Sequence, residues 1–466
     1  MKILSKKISE INSHQFARID SKYWITQEEV AFSKYRLLSE MFEIINGSVQ
    51  TSHYTDEVTD FPYIRISNID YKYGINTEDV VYLDSVCDVK EDRILKKDDL
   101  ILATIGATVG KIGLAKLCEG GTCSNNTVIL RAKDKKTKMP FFEKLFQTDN
   151  YINYFFGVVS QKAQPNLQSY DLENIKIPII SSKTIEKALY EINPLEEQIQ
   201  NYFSCVNNVQ EIINKVFAKE FGFDYTRFLE LKRNKFNVIQ LSAFADNPDL
   251  RFSAKFHRDA GKFVMKQLTD ITEKKIKHYL AEPIVLGASI SPNNYSDDGE
   301  YQYISMATIK NWKFDSESAN YVSKQYSDSK AAKTVRKNDI ILARSGEGTI
   351  GKVALIDDSV NGVFADFTMR IRLKDYNPEF AYYYFRTSYF QYLIEIYKKG
   401  LGNNTNIFPI VIQEFPLIDI SLDEQQRIVN EIHAEIAKQE EIKSKIADLR
   451  NQIDSIIEEA ITRGAK

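Results

Sequence analysis

Short apolar runs alternate with turns rich in Gly, Asn and Asp over much of the chain. Runs such as DDLILATIG (98–106) and NTVILRAK (126–133) predict β-strands. Longer aromatic stretches follow them, and their spacing predicts helices over 141–159 and 378–397. This order of strands first and helices afterwards occurs twice, which indicates an α+β fold made of two similar parts.

Each part closes with a long amphipathic segment. In the second part, Ser421 and Glu424 fit a capping box, which satisfies backbone donors at a helix start. A helix of about 40 residues, or roughly 60 Å, is predicted after them. Its apolar stripe recurs mostly at three- and four-residue steps, through Ile428, Ile432, Ile436, Ile442, Ile446, Leu449, Ile453 and Ile457.

The first part repeats this arrangement in its own closing segment. Asn193 and Pro194 suit the cap and the first turn of a helix. The stripe then runs through Ile199, Phe203, Val206, Ile213 and Val216. A long helix with one apolar seam needs a partner helix, so the two are predicted to pair antiparallel with pseudo-two-fold symmetry.

Six sequence blocks occur twice in the same order, which predicts a duplication of one module. The clearest pair is KKDDLILATIGATVGKIGLA from Lys96 and RKNDIILARSGEGTIGKVALI from Arg336, where Asp99 aligns with Asp339. The other five pairs lie near Arg18 and Arg251, Phe61 and Tyr301, Asn125 and Asp366, Gln164 and Asn404, and Pro194 and Ser421. The predicted domains are 1–182, a central helical spacer at 183–235, 236–419, and a C-terminal helix at 420–466 that pairs with the spacer.

The glycines of the clearest block raise the question of a nucleotide site. Gly346, Gly348 and Gly351 match GxGxxG, and residues 346–352 match GxxxxGK. Both motifs need a helix after the glycines, and the second also needs Ser or Thr where Val353 stands. The following residues, KVALID, predict a strand, so the block is interpreted as a glycine-rich hairpin. Its glycines serve the turn alone or also let a ligand approach the backbone.

Composition narrows the class of protein. The 466 residues, 43% hydrophobic and 27% charged, fit a globular protein of two or three domains. No apolar run approaches the roughly 20 residues of a membrane span, so no membrane association and a cytoplasmic location are expected. The net charge of −3 requires any nucleic-acid surface to be a local basic face. Four scattered cysteines are expected to be reduced and bind no metal: Cys87, Cys118, Cys123 and Cys205.

The duplicated blocks resemble the specificity subunits of type I restriction-modification systems. The resemblance is carried by DLILATIGATVGKIGLA and DIILARSGEGTIGKVALI, by QPNLQSYDLENIKIPI, and by the helix starts PLEEQ and SLDEQQRIV. It covers essentially the whole chain. It implies two target-recognition domains that each read one half of a bipartite site in double-stranded DNA. The helices between them would set the spacing of the two halves.

The resemblance also implies partners for the chain and no catalysis of its own. The helices would dock two methyltransferase subunits, and restriction subunits would join that assembly. S-adenosylmethionine, ATP and Mg²⁺ would bind to those partners, and this chain would bind no cofactor. The predicted docking positions are Leu195, Ile199, Phe203, Ile428, Ile432 and Ile436.

Amide, hydroxyl and cationic side chains at matching places of the two copies are the candidate DNA contacts, because such groups read base edges and neutralise phosphates. In the first copy they are Arg65, Ser67, Asn68, Thr108, Lys111, Gln161, Lys162, Gln164 and Asn166. In the second they are Ser305, Thr308, Lys310, Arg344, Thr349, Lys352, Asn403, Asn404 and Asn406. Basic runs at 133–138, 232–235 and 274–277 are either phosphate contacts or solvated faces.

Three other functions stay open. A nuclease would use Asp99 or Asp339, although no carboxylate spacing typical of a metal site accompanies them. A two-headed protein-interaction scaffold would share the long helices without binding DNA. A specificity-like subunit of another methylation-based phage-defence system would share every feature above.

Overall fold

The chain forms two compact units. The structure is a computed structural model, and it describes residues 20–30, 32–48, 54–55, 57–85, 88–159, 165–234, 236, 238–240, 242, 253, 255–346, 348–400 and 405–464. Unit 1 comprises Met1–Cys205 and Ile442–Lys466, and unit 2 comprises Val206–Glu441. Each unit holds one copy of the central duplicated blocks.

Unit 1 packs helices against small sheets. Its helices are α1 Ser21–Glu29, α2 Leu38–Met41, α3 Met139–Phe146, α4 Asp149–Val158, α5 Ser169–Glu173 and α6 Ser182–Phe203. Its strands are β1 Tyr35–Leu37, β2 Phe42–Asn46, β3 Tyr54–Thr55, β4 Pro62–Ile64, β5 Val81–Leu83, β6 Leu100–Ala103, β7 Ile112–Leu114, β8 Thr122–Cys123, β9 Thr127–Ala132 and β10 Lys176–Pro178. One antiparallel sheet has the order β2-β9-β6-β7, a second has the order β3-β5-β4-β8 with β4 and β8 parallel, and β1 pairs with β10.

Aromatic side chains of α3 and α4 fill the core of unit 1. The ring centroid of Phe146 lies 5.3 Å from that of Tyr151 and 5.9 Å from that of Phe155, and all three side chains are buried. The single helix predicted over 141–159 is two helices, because Thr148 interrupts it and its side chain accepts the backbone N–H of Tyr151 as an N-cap.

Unit 2 repeats this architecture. Its helices are α7 Val209–Phe221, α8 Tyr225–Arg233, α9 Asp259–Thr269, α10 Lys324–Ser329, α11 Pro378–Arg386, α12 Ser388–Tyr397 and α13 Pro409–Ile412. Its strands are β11 Val285–Leu286, β12 Tyr301–Ile304, β13 Ile309–Lys310, β14 Lys313–Phe314, β15 Tyr321–Val322, β16 Ile340–Ala343, β17 Val353–Leu355, β18 Gly362–Phe364 and β19 Thr368–Ile371. The sheet orders are β11-β19-β16-β17 and β15-β12-β18, and β13 pairs with β14.

The predicted duplication is confirmed at the level of single hydrogen bonds. The sheet β11-β19-β16-β17 matches β2-β9-β6-β7, and the parallel pair β12 and β18 matches β4 and β8. The Tyr63 hydroxyl donates to the Ser48 carbonyl over 3.1 Å, and the Tyr303 hydroxyl donates to the Ala288 carbonyl over 2.7 Å. Two units with the same frame but different surface residues follow from this duplication.

A buried ion pair holds the central strand in each unit. The Asp99 carboxylate accepts both Nε and Nη2 of Arg131, at 2.9 and 2.7 Å. The Asp339 carboxylate accepts the same two groups of Arg372, at 2.6 and 2.7 Å. Each aspartate also accepts the backbone N–H three residues before it, so it fixes the turn that leads into β6 or β16. These contacts give Asp99 and Asp339 a structural role in place of the nuclease role considered above.

The C-terminal segment forms α14, the continuous helix Leu422–Gly464 of 43 residues. Its predicted capping box is present, because the backbone N–H of Glu424 donates to Ser421 Oγ and the Ser421 N–H donates to the Glu424 carboxylate. Its residues up to Glu441 belong to unit 2, and its residues from Ile442 onward belong to unit 1.

Within unit 2, α14 pairs antiparallel with α7. The Asn207 backbone N–H donates to Gln439, Lys219 pairs with Glu431 at 2.7 Å, and Arg427 pairs with Glu220. Partners therefore descend along α14 as residue numbers rise along α7. Between the helices, Ile428 and Ile432 share a core with Ile213 and Phe217.

The helix start predicted at Asn193 and Pro194 is wrong. α6 begins at Ser182 with Ser181 as its N-cap, and Pro194 lies inside it. Proline removes one hydrogen bond to the carbonyl four residues earlier, which belongs to Tyr190. Because Tyr190 is 82% exposed, water can reach that carbonyl and the helix tolerates the proline.

The central helix is also not continuous. α6 ends at Phe203 and α7 starts at Val209, where Asn208 and Glu211 form a capping box. This pair satisfies the free backbone N–H groups at the start of α7, which favours a break between α6 and α7. The predicted stripe therefore divides between helices, with Ile199 on α6, and Ile213 and Val216 on α7.

We expect Asp99→Asn and Asp339→Asn each to lower the free energy of unfolding of the unit that contains it by about 3–5 kcal/mol, because the arginine loses the buried carboxylate to which it donates two hydrogen bonds. Urea unfolding followed by circular dichroism measures this loss. Asp358→Asn is the matched control, since the Asp358 and Lys337 side chains are both more than half exposed. An equal shift in the control would contradict a special role for the buried pair.

Candidate nucleic-acid interface

The glycine block of unit 1 is a hairpin between β6 and β7. The Ala103 N–H donates to the Lys111 carbonyl at 2.8 Å, and the Gly110 N–H donates back to Ala103 at 3.1 Å. Gly106 has φ 68° and Gly110 has φ 88°, a region in which residues with a Cβ are strained. The predicted hairpin is therefore present.

The block of unit 2 closes in the same way. The Ala343 N–H donates to Lys352 at 2.9 Å, and the Gly351 N–H donates to Ala343 at 2.8 Å. Gly346 and Gly351 have φ of 88° and 87°. Strand β17 follows, so the helix that a phosphate-binding loop requires does not follow these glycines.

A second segment lies against each hairpin at an equivalent place. In unit 1 the Leu167 N–H donates to the Thr104 carbonyl at 2.8 Å, and in unit 2 the Ile407 N–H donates to the Arg344 carbonyl at 2.9 Å. These contacts bring Asn166 beside Ile105 and bring Asn406 beside Ser345. Two predicted site residues that are distant in sequence from the hairpins thus lie next to them.

We call residues 104–111, 165–167 and Tyr71 the hairpin face of unit 1. The Tyr71 hydroxyl donates to the Ala107 carbonyl at 2.5 Å, and Lys111 Nζ lies 5.6 Å from the Tyr71 ring centroid. Thr108 Oγ1 donates to the Ile105 carbonyl. Among the described residues no carboxylate lies within ion-pair distance of Lys111, so its charge is available to an anionic ligand.

We call residues 344–352 and 405–408 the hairpin face of unit 2, leaving aside Glu347, which the structure does not describe. Arg344 Nη2 donates to Asn406 Oδ1 at 3.0 Å, and the Arg344 guanidinium carbon lies 5.6 Å from the Phe408 ring centroid. Thr349 Oγ1 donates to the Ser345 carbonyl at 2.9 Å. Arg344 is therefore held by an amide and an aromatic ring, while Lys352 is half-buried beside it.

Asn68 and Thr308, both candidate DNA contacts, are structural residues. Asn68 accepts the Arg65 N–H at 2.9 Å and donates to the Asp79 carbonyl at 3.2 Å. Thr308 accepts the Ser305 N–H at 3.1 Å. Because both side chains are buried and bonded within their turns, they stabilise the turns and are not placed to reach a base.

Other candidates in these turns are better exposed. Ser67 is exposed, and Arg65 is half-buried with Nη2 donating to the Asp79 carbonyl. Lys310 pairs with Asp315 at 2.7 Å, and this hydrogen bond lowers the pKa of Asp315. The charge of Lys310 is thus largely balanced. The remaining candidates, Gln161, Lys162, Gln164, Asn403 and Asn404, lie outside the described residues.

Side chains of two basic runs, 232–235 and 274–277, make contacts within the protein. Lys275 and Lys277 both pair with Glu414, at 2.9 and 2.7 Å, and these two lysines lower the pKa of Glu414. Lys232 Nζ lies 5.7 Å from the ring centroid of Tyr392. The contacts favour solvated faces over phosphate contacts for these two runs.

The predicted docking residues are mostly committed to the core of the chain itself. Ile199, Ile428 and Ile432 are buried, and Leu195 and Ile436 are half-buried. The Phe203 ring stands edge-on to Tyr73 with centroids 5.1 Å apart. Most of the surface of these isoleucines is therefore covered by the chain itself.

Tyr71 and Phe408 are site residues that the sequence alone did not single out. Phe408 is 40% exposed on the hairpin face of unit 2. In NTNIFPIV (404–411) the ring is flanked by Ile407 and Pro409, so the local sequence gives no sign that it is exposed. Tyr71 has no sequence signal either, because its contact with Ala107 arises only in the fold.

Cysteines and acidic residues do not form a metal site in the described part of the chain. Cys118 and Cys123 are buried, which raises the pKa of their thiols to about 11 and about 12. Cys205 is exposed, and Cys87 lies outside the described residues. Among those that are described, no group of three or more His, Cys, Asp or Glu side chains lies close enough to hold a metal ion.

Two stretches of the chain, 33–215 and 262–450, match the family model of the type I restriction modification DNA specificity domain. Together they cover well over half of the chain. It belongs to this family. The family is one of non-catalytic DNA specificity domains, and the two matches confirm two tandem domains of mixed helix and sheet.

Three solved structures of type I restriction-modification proteins are similar over most of the chain. The S subunit from M. genitalium is 13% identical, with 92% of this chain and 95% of that chain covered and a TM-score of 0.41. The HsdS subunit from Thermoanaerobacter tengcongensis is 14% identical, with 92% and 96% covered and a TM-score of 0.36. A structure titled for complex assembly and conformational transition of the type I R-M system is 17% identical, with 92% and 97% covered and a TM-score of 0.42. No curated protein matches the chain.

None of the helices in the described part of the chain is both long and apolar enough to cross a membrane.

We expect Asn68→Ala to lower the free energy of unfolding by about 1–3 kcal/mol, because the Arg65 N–H and the Asp79 carbonyl lose a buried partner. Ser67→Ala, at the exposed neighbouring position, should stay within about 0.5 kcal/mol of the unmodified chain. Urea unfolding of both variants measures the difference. Equal stabilities would show that Asn68 does not hold this turn.

Proposed function

We propose that this chain is the specificity subunit of a type I restriction-modification complex. Unit 1 and unit 2 would each read one half of a bipartite site in double-stranded DNA. The matches to the DNA specificity domain on both halves of the chain support this function. The observation that carries it is that the hairpin faces share their backbone contacts but present different side chains.

The clearest difference between the hairpin faces is at Arg344. Thr104 occupies its place in unit 1, since the Thr104 N–H donates to Asn126 and the Arg344 N–H donates to Phe367 directly after equivalent strands. An arginine can donate two hydrogen bonds to guanine, which is worth about 1–3 kcal/mol of discrimination, whereas the buried Thr104 hydroxyl already donates to the Asn126 carbonyl. The same frame would thus read two different half-sites.

Affinity would come from local cations, because the whole chain is slightly acidic. Lys111 and Lys352 lie at equivalent ends of the two hairpins. Cations placed on flexible side chains next to a base-reading group would neutralise phosphates and make binding sensitive to salt.

Methylation and cleavage would belong to partners. Two methyltransferase subunits would dock on the helices, bringing S-adenosylmethionine, and restriction subunits would bring ATP and Mg²⁺. Docking would use outward side chains such as Tyr190 of α6, because the isoleucines of the stripe are buried. The helices that link the two recognition domains would set the spacing of the half-sites, and the complex would act on chromosomal DNA in the cytoplasm.

Genome-wide methylation mapping tests this function directly. We expect a bipartite methylated motif in a host that carries the chain with its neighbouring methyltransferase, and no such motif with the methyltransferase alone. Identical methylation in both hosts, with the two proteins still co-purifying, would favour the interaction scaffold. A motif without accompanying restriction would favour another methylation-based defence system.

We expect Arg344→Ala to relax one base position in one half of the motif and to leave the other half unchanged, because only unit 2 carries this guanidinium. Methylation mapping of the variant reads each position separately. Lys337→Ala is the matched control, as Lys337 is an exposed cation of unit 2 that pairs with Asp358 and lies before β16, away from the hairpin. A loss spread evenly over both halves would contradict base reading by Arg344.

A further inference from the structure

A basic cleft of about 290 Å³ opens in unit 2 away from the hairpin face. Its cationic lining side chains are Lys333, Arg336, Arg370 and Arg372, against the single lining carboxylate of Glu282. Arg372 lies just beyond the register pair of Ile340 at the start of β16, whereas Arg344 follows the other end of that strand. At about 3.3 Å per residue, the two ends are roughly 13 Å apart.

Arg370 occupies a position that is apolar in the other copy. In unit 2, Ile341 of β16 lies opposite Arg370 of β19, and in unit 1 the equivalent Ile101 lies opposite Ile129. Ile129 is fully buried, and Arg370 is 7% exposed. Charged residues are seldom buried this deeply unless they are paired, so this arginine needs a physical explanation.

The frame of the unit does not require the second arginine. In unit 1, Arg131 alone bonds Asp99 and also donates to the Ile94 carbonyl at 2.9 Å. In unit 2, Arg372 bonds the equivalent Asp339, and Arg370 takes over the carbonyl contact, donating to Thr334. Unit 2 thus uses two arginines for the carboxylate and carbonyl contacts that Arg131 alone makes in unit 1, and the second arginine adds a positive charge.

The charge of the cleft is only partly balanced. Arg370 Nη2 donates to Glu282 at 2.5 Å and its Nε has no partner among the described residues. Burial lowers the pKa of Arg370, and the neighbouring Arg372 lowers it further. Burial followed by the charges of Arg370 and Lys330 lowers the pKa of Lys333. Burial is the larger cause of both shifts, and the neighbouring cations add to it, while Glu282 and Asp339 oppose the shift of Arg370.

We propose that this cleft is a phosphate-binding site of unit 2, lined by Lys333, Arg336, Arg370 and Arg372. Guanidinium groups suit a phosphate because their planar donors match its oxygens in pairs. The volume lies at the small end of ligand sites, which fits a single phosphoryl group better than a whole nucleotide. This inference does not rest on the proposed function, since it concerns the opposite end of the sheet from the hairpin face.

The phosphoryl group has two sources with the same chemistry. It is either free inorganic phosphate or a phosphate of the DNA backbone. A variant of Arg336 is well suited to distinguish the two. Its side chain is exposed at the cleft rim, and among the described residues its guanidinium has no hydrogen-bond partner, so its removal leaves the fold undisturbed.

Calorimetric titration of the full chain with inorganic phosphate in low-salt buffer tests the site. We expect Arg370→Ile and Arg336→Gln each to weaken phosphate binding about tenfold, the loss expected for one charge-assisted hydrogen bond. Lys96→Gln changes the position of unit 1 that is equivalent to Arg336. It should leave phosphate binding within about twofold, because unit 1 has Ile129 where unit 2 has Arg370. Arg370→Ile introduces the residue that unit 1 carries, and Arg336→Gln decides the result if that variant unfolds.

A duplex titration with and without phosphate separates the sources. If the DNA backbone occupies the cleft, phosphate competes with the duplex and Arg336→Gln reduces the salt slope of DNA binding by about one. If free phosphate occupies it, duplex and phosphate bind together and the slope is unchanged. Either result supports the site. No phosphate binding by the unmodified chain, or equal binding by all three variants, overturns it.

Discussion

A buried carboxylate–guanidinium pair is the constraint on which each unit depends. The pair ties the turn before the central strand to the strand beside it, through Asp99 and Arg131 in unit 1 and through Asp339 and Arg372 in unit 2. A bidentate pair fixes direction as well as distance, so it sets where the central strand starts. The pair thereby also positions the hairpin at the far end of that strand. The segment that bonds to the hairpin, 165–167 in unit 1 and 405–408 in unit 2, is positioned with it.

Duplication separates the parts of the molecule that must stay the same from the parts that differ. The paired aspartates, the glycines with positive φ and the tyrosine hydroxyl bonds occur in both units because they hold the backbone. Equivalent positions on that backbone carry different side chains, with Thr104 buried in one unit and Arg344 half-buried in the other. The backbone contacts of each unit do not depend on these side chains. The side chains can therefore differ between the units without loss of the fold.

Charge is distributed locally and not over the whole chain. The net charge of −3 conceals cations of three kinds. Some are neutralised, as Lys275 and Lys277 are by Glu414, and Lys111 is available on the hairpin face. Arg370 is buried against Phe364, with its guanidinium carbon 5.1 Å from the ring centroid. Lys111 and Arg370 both lie outside the basic runs at 133–138, 232–235 and 274–277.

The sequence by itself determined the duplication, the α+β class, the hairpins and the C-terminal helix, because each is set by local rules. Glycine at positive φ, an isoleucine every three or four residues and a capping box act over a few residues, and they are visible in the letters. The tertiary structure decided which polar side chains face outward. Asn68 and Ser67 are neighbouring polar residues, yet Asn68 is buried and bonded within its turn, whereas Ser67 is exposed. It also decided that Pro194 lies within a helix and that Arg370, which aligns with Ile129, is buried, because burial depends on contacts between residues far apart in the chain.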